Sequence, residues 1–243
     1  MTISEVSNMA NTKNDSDILY LSIGENCLSD DILKRHNLKS FSTPYSSGRT
    51  NIDYVLQLET IDYNIFLNKR YLEYSILMGG GTKVVKSKLI TACSNIYNAM
   101  HMDRFEFTHQ DILSSDEQNA TIKRRIERMR QFRGRQDVVF FYHHRVNKST
   151  NLDILFDKLS LLQTFYSSDQ ARCIIVLFAQ KLIPKDEQKS LEYKQQKKDM
   201  LLFTFKTYDI WGGNDQDIFW ARVDDNLIKQ MLDMTNNYVK ENI

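Results

Sequence analysis

Four short, nearly unbroken apolar runs constrain this chain more than any other feature: Ile18–Ile23, Val138–Tyr142, Cys173–Phe178 and Leu201–Phe205. None alternates between polar and apolar. A strand built from any of them must be covered on both faces, as the strands of a parallel sheet are. Helical stripes lie between and after the runs. Ile122, Ile126, Met129 and Phe132 form one, Leu152, Leu155, Phe156, Leu159, Leu162 and Phe165 a second, and Leu227, Ile228, Met231 and Leu232, with Tyr238, a third. A shorter helix is predicted from Cys27 or Leu28 to about His36. Alternation of this kind predicts an α/β fold with right-handed crossovers. The expectation is a single three-layer domain over 17–243, a mostly parallel sheet flanked by helices, behind a disordered polar tail at 1–16.

An irregular insertion is expected at about 38–103. Within it, 51–58 reads as helix with 63–67 as its extension, Gly79-Gly80-Gly81 as a sharp loop, and Val84-Val85 as an edge strand. Arg104–Phe107 is a further candidate strand, and the polar segment 185–198 reads as a solvated outer helix or a mobile crossover.

Charge excludes some functions. Thirty-two basic against 31 acidic side chains leave a net +1, so no global field calls for nucleic acid. No apolar stretch approaches the roughly 20 residues of a membrane span. The N-terminus lacks a basic-then-apolar leader, so a cytoplasmic location is expected. Three cysteines, Cys27, Cys93 and Cys173, form no disulfide framework.

In open α/β sheets ligands collect beyond the carboxyl ends of the strands. The polar residues there are Gly24-Glu25-Asn26-Cys27, Thr108-His109-Gln110-Asp111, His143-His144-Arg145, and the stretch from Tyr208 through Trp211 to Asp215. Cys27 is the most informative. A thiol at the first turn of a helix sees the positive end of the helix dipole and free backbone N–H groups, which favour thiolate. Those amides, with the Asn26 side chain, are candidates to hold an oxyanion. A histidine must then relay the proton. His143 and His144 are adjacent on a strand, so at most one of them enters a site on a given face.

The run Leu21-Ser22-Ile23-Gly24-Glu25-Asn26-Cys27, then a helix, then Phe41-Ser42-Thr43-Pro44-Tyr45-Ser46-Ser47, resembles a bacterial family described as papain-like cysteine peptidases. That family's pattern is Ser-Leu-Gly-x-x-Cys, a helix, a Pro-Phe-Asp-Trp-like segment and a later His-Asp element. Here Ile23 replaces the Leu, the Asp-Trp pair is missing after Pro44, and Gln110 separates His109 from Asp111. The resemblance covers roughly residues 18–145. It implies a thiol hydrolase or acyltransferase, with Cys27 as nucleophile, His109 as base and Asp111 as its orienting acid, in the setting of bacterial cell-surface glycan metabolism. His143, His144, Asp215 and Trp211 are the further candidate substrate contacts. The expected ligand is a small-molecule, glycan or acyl substrate.

Metal-ligand spacings such as His-x-x-x-His, Cys-x-x-Cys and His-Glu-x-x-His do not occur, nor does a nucleotide fingerprint, so neither metal nor cofactor is expected. The alternatives are a non-catalytic module binding a sugar or phosphorylated metabolite on the same rim, and a structural partner docking through the basic helix that holds Arg124, Arg125 and Arg128.

Overall fold

The structure, a computed structural model, describes residues 18–77 and 81–243. The expected tail, Gly79 and Gly80 lie outside the described residues.

The apolar runs form the main sheet. Strands β1 (Leu19–Ser22), β5 (Val138–Arg145), β6 (Cys173–Leu182) and β8 (Met200–Thr207) lie parallel in that order, and β7 (Ser190–Lys197) adds an antiparallel edge beside β8. The 185–198 segment is therefore an edge strand rather than a helix or crossover. Its Lys and Gln side chains suit an edge, where charge discourages pairing with another chain.

A smaller antiparallel sheet, in the order of its strands, holds β2 (Leu72–Ile76), β3 (Lys83–Thr91) and β4 (Arg104–Phe107). Val84-Val85 thus belongs to a central strand, not an edge. The helices are α1 (Leu28–Arg35), α2 (Ile52–Thr60), α3 (Asp116–Phe132), α4 (Leu152–Tyr166), α5 (Gln216–Phe219) and α6 (Asp225–Asn242). Asn51, Ser115 and Asn151 start α2, α3 and α4 by accepting backbone N–H groups of the first turn. The expected extension through 63–67 does not form. Asp62 and Tyr63 adopt positive φ (48° and 57°), which ends the helix in turns.

Side-chain alternation along β5 builds the layers. Val138, Phe140 and Tyr142 pack with α2, α3 and α4, whereas Val139 and Phe141 pack with α1 and α6. The first layer is tied by a buried carboxylate on α2. Glu59 accepts from Tyr166 (2.6 Å), Tyr45 (3.2 Å) and Tyr63, and pairs with Arg133 of α3. Burial pushes the Glu59 carboxyl up, and Arg133 with the phenol hydroxyls opposes the rise.

Candidate active site

The β1–α1 turn is dictated by close packing against β5. A Cβ on Gly24 would meet Ser29 Oγ at 2.5 Å and the His143 backbone nitrogen at 3.1 Å, so only glycine fits where the strand ends. The chain then turns through Glu25 and Asn26 to Cys27, the N-cap of α1, whose carbonyl accepts the Asp31 N–H at 2.9 Å. Asn26 Oδ1 accepts the Leu28 N–H at 3.0 Å, so one amide expected to serve an oxyanion already has a partner.

Cys27 is half-buried and lines a cavity of about 250 Å³ together with Asn26, His101, His109, Arg49 and Arg145. Two structural units meet here. The parallel sheet supplies Cys27 and Arg145, while His109 follows β4 of the small sheet and His101 ends a 3-10 turn (Ala99–His101) within the insertion.

The thiol's electrostatics run opposite to the sequence expectation. Burial pushes the Cys27 pKa up, and Asp30 and Asp31 in the same first turn push in the same direction. A backbone N–H and the Arg145 guanidinium oppose them without reversing the shift. Desolvation and two neighbouring carboxylates outweigh the backbone N–H and the Arg145 charge, so the resting group is a thiol.

Under the cavity lies an acid–imidazole cluster. Glu25 is fully buried, with Oε1 at 2.8 Å from His144 Nδ1 and Oε2 at 3.4 Å from His101 Nδ1. Burial alone would raise its pKa, but the charges of His144 and His101 and a hydrogen bond from His144 bring it down to about 2. Burial lowers His101 to about 4, against the pull of Glu25, so its ring is neutral at pH 7. His144 Nε2 meets Thr150 Oγ1 at 3.0 Å.

The other predicted residues are placed as follows. His109 is exposed at the cavity. Asp111 does not point its carboxylate at His109; it accepts from the Tyr74 hydroxyl at 3.0 Å and the Ser114 N–H at 3.1 Å. Gln110, the residue that interrupts the His-Asp element, donates to Ser47 Oγ at 2.8 Å. The loop carrying His109 is therefore anchored through the two residues that follow it.

His143 and His144 do point to opposite faces. His143 is fully buried against Phe178 and Trp211, with ring centroids 5.1 and 5.5 Å away. Trp211 is itself fully buried and donates its indole N–H to Asp224 at 2.8 Å. Asp215 caps α5 by accepting the Asp217 and Ile218 N–H groups. Trp211 is a core side chain and Asp215 an exposed helix cap, and neither lines the Cys27 cavity.

The basic helix is partly spent inside the molecule. Arg125 reaches Ser47 (3.1 Å), Arg128 stacks on Phe41 (4.7 Å), and Arg130 and Arg133 pair with Asp62.

Glu25 and Arg145 stand among the strand-end residues named from the sequence but carry no assigned role there, and His101 is not named at all. Glu25 and Arg145 adjoin predicted positions, but His101 carries no local signal. Among the described residues no group of His, Cys, Asp and Glu is arranged to hold a metal, and no helix is long and apolar enough to cross a membrane.

The chain belongs to the family described as "Putative papain-like cysteine peptidase", whose profile matches residues 18–208. No curated protein and no solved structure gives a significant match. The family match extends past 145, the expected limit of the resemblance, to include β6 and β8. At the level of reaction class it supports a cysteine-dependent hydrolase.

Proposed function

We propose that this family member is an acyl hydrolase in which Cys27 is the nucleophile and His109 the proton relay. The observation that carries the reading is the shared cavity, in which Cys27, Asn26 and His109 all take part. Because burial keeps Cys27 protonated, attack and proton transfer are coupled. The sulfur bonds to the acyl carbon as its proton passes to the His109 imidazole, and the carbonyl π electrons move to oxygen. Collapse of the tetrahedral species breaks the bond to the leaving group, which takes the proton from His109. Water then attacks the thioester, again through His109, to release acid and thiol. A glycan hydroxyl or an amine in place of that water makes the same site an acyltransferase.

His101 also lines the cavity, but a ring whose pKa burial has lowered to about 4 accepts a proton poorly at pH 7. It and His144 serve as positioning residues that flank the buried Glu25 carboxylate. Asp111 and Gln110 act on His109 through its loop. A panel of activated esters tests the reading. Cys27→Ala should abolish turnover and His109→Ala should reduce kcat by about 10²–10⁴-fold. Full activity in Cys27→Ala would refute it.

A further inference from the structure

Arg145 ends β5 and is 8% exposed, yet its charge has no partner of opposite sign in contact. Its Nη2 donates to the Trp211 carbonyl, its Nε–H is buried without a hydrogen-bond partner, and among the described residues it makes no ion pair. Burying a guanidinium with no acid in contact is costly even with the Glu25 carboxylate acting on it from a distance, so a site that keeps one is organised to receive an anion. The surroundings fit that use. The guanidinium packs over Gly212, where a Cβ would meet Nη2 at 3.3 Å, and Arg145 lines the Cys27 cavity.

The second arginine of the cavity, Arg49, already has a counter-ion in Glu106, with Nε 3.7 Å from Oε1. Arg145 feels the Glu25 carboxylate only through space, with no acid in contact with its guanidinium, so the cavity offers one cation for one negative charge, which favours a carboxylate over a phosphate dianion. Leu77, Met100 and Phe219 supply an apolar wall to the same cavity.

We infer that Arg145 is a specificity-determining residue that binds a carboxylate of the substrate, so that the site takes acyl compounds carrying a carboxylate and an apolar group close to the scissile bond. The assignment rests on the reading of Cys27 as nucleophile. The guanidinium fork meets the carboxylate through charge-assisted hydrogen bonds. This orients the acyl carbon toward the sulfur and excludes neutral analogues, which would leave the buried cation unpaired.

Alkylation provides a test within one molecule. Iodoacetate carries a carboxylate and iodoacetamide does not, and exposed Cys93 is an internal control. The iodoacetate-to-iodoacetamide rate ratio at Cys27 should exceed that at Cys93 by about tenfold or more. It should fall to the Cys93 value in Arg145→Gln. If that variant does not fold, Arg145→Lys, which keeps the charge but loses the fork, should cut the ratio several-fold. Equal ratios at the two cysteines of the unmodified protein, or a ratio unmoved by either substitution, would overturn the assignment.

A second measurement separates this proposal from the nucleophile reading. Cys27→Ala should bind malonate, measured calorimetrically, more tightly than malonamide, and Arg145→Gln should remove the preference. Inertness of Cys27 to both alkylating reagents alongside that malonate preference would sink the nucleophile and support the anion site. Absence of the preference, or tighter binding of inorganic phosphate, would overturn the carboxylate assignment.

Discussion

Glu25 Oε1 and His144 Nδ1 lie 2.8 Å apart in an interior that water does not reach, both side chains fully buried. The parallel register of β1 and β5 produces this contact. Ser22 pairs with Phe141, so three residues further along each chain Glu25 comes level with His144. The cluster couples the cavity floor to the end of the sheet, and its ionisation has consequences for stability.

Those consequences can be read from pH. His101 has a folded pKa of about 4 against an ordinary 6.5, so the unfolded chain binds the proton more readily. Its contribution to stability is complete above 6.5 and is lost as pH falls toward 4. Glu25, lowered from 4.5 to about 2, stabilises the fold above 4.5 and loses that contribution as pH falls toward 2. Urea midpoints should fall continuously from pH 6.5 downward, with His101→Gln flattening the upper half of the decline. A midpoint unchanged between pH 7 and pH 5 would contradict this account.

Cys27 should alkylate with iodoacetamide along a pH profile displaced above that of an ordinary thiol. Replacing Asp30 and Asp31 with Asn should move the inflection down, since both carboxylates raise the thiol's pKa. Stopped-flow alkylation from pH 6 to 10 reads both values. An inflection well below about 8.5 in the unmodified protein would restore the thiolate that the helix dipole alone predicts.

The loop holding His109 makes a separate prediction. Gln110→Ala removes the bond to Ser47, and Asp111→Ala removes those to Tyr74 and Ser114. Each should lower kcat about 10–100-fold through misplacement of the imidazole. KM should change little, because neither side chain is assigned a substrate contact. Steady-state kinetics on one activated ester distinguish this from a binding role, which would appear in KM.

Glu59 belongs to the scaffold. Removing it leaves Arg133 and three phenols without their shared acceptor. Glu59→Ala should cost about 3–5 kcal/mol in urea unfolding. Tyr166→Phe, which removes one donor of the set, should cost about 1–3 kcal/mol.

Much of the fold is legible in the sequence. The four apolar runs are the four parallel strands, because strands buried on both faces need continuous hydrophobicity and little else has it. The position of Cys27 at a helix start was readable from Gly24 and the helical pattern after it, and the opposition of His143 and His144 from strand geometry. Segment 185–198 was not, because an exposed antiparallel edge leaves a polar pattern that a solvated helix leaves equally well. The acidity of Cys27 is not legible even with Asp30 and Asp31 in plain view, since burial cannot be seen in a sequence and it decides the balance. His101 was invisible for another reason. It reaches the cavity through a short 3-10 turn in the irregular insertion, where no periodicity marks a direction.

The most direct test of the central claim is to trap the covalent intermediate. Brief incubation with p-nitrophenyl acetate, acid quenching and peptide mapping by mass spectrometry should find one acetyl group, on Cys27. The label should vanish in Cys27→Ala and form much more slowly in His109→Ala. Ester turnover with the acetyl group elsewhere, or with Cys27 unlabelled while product accumulates, would contradict the account.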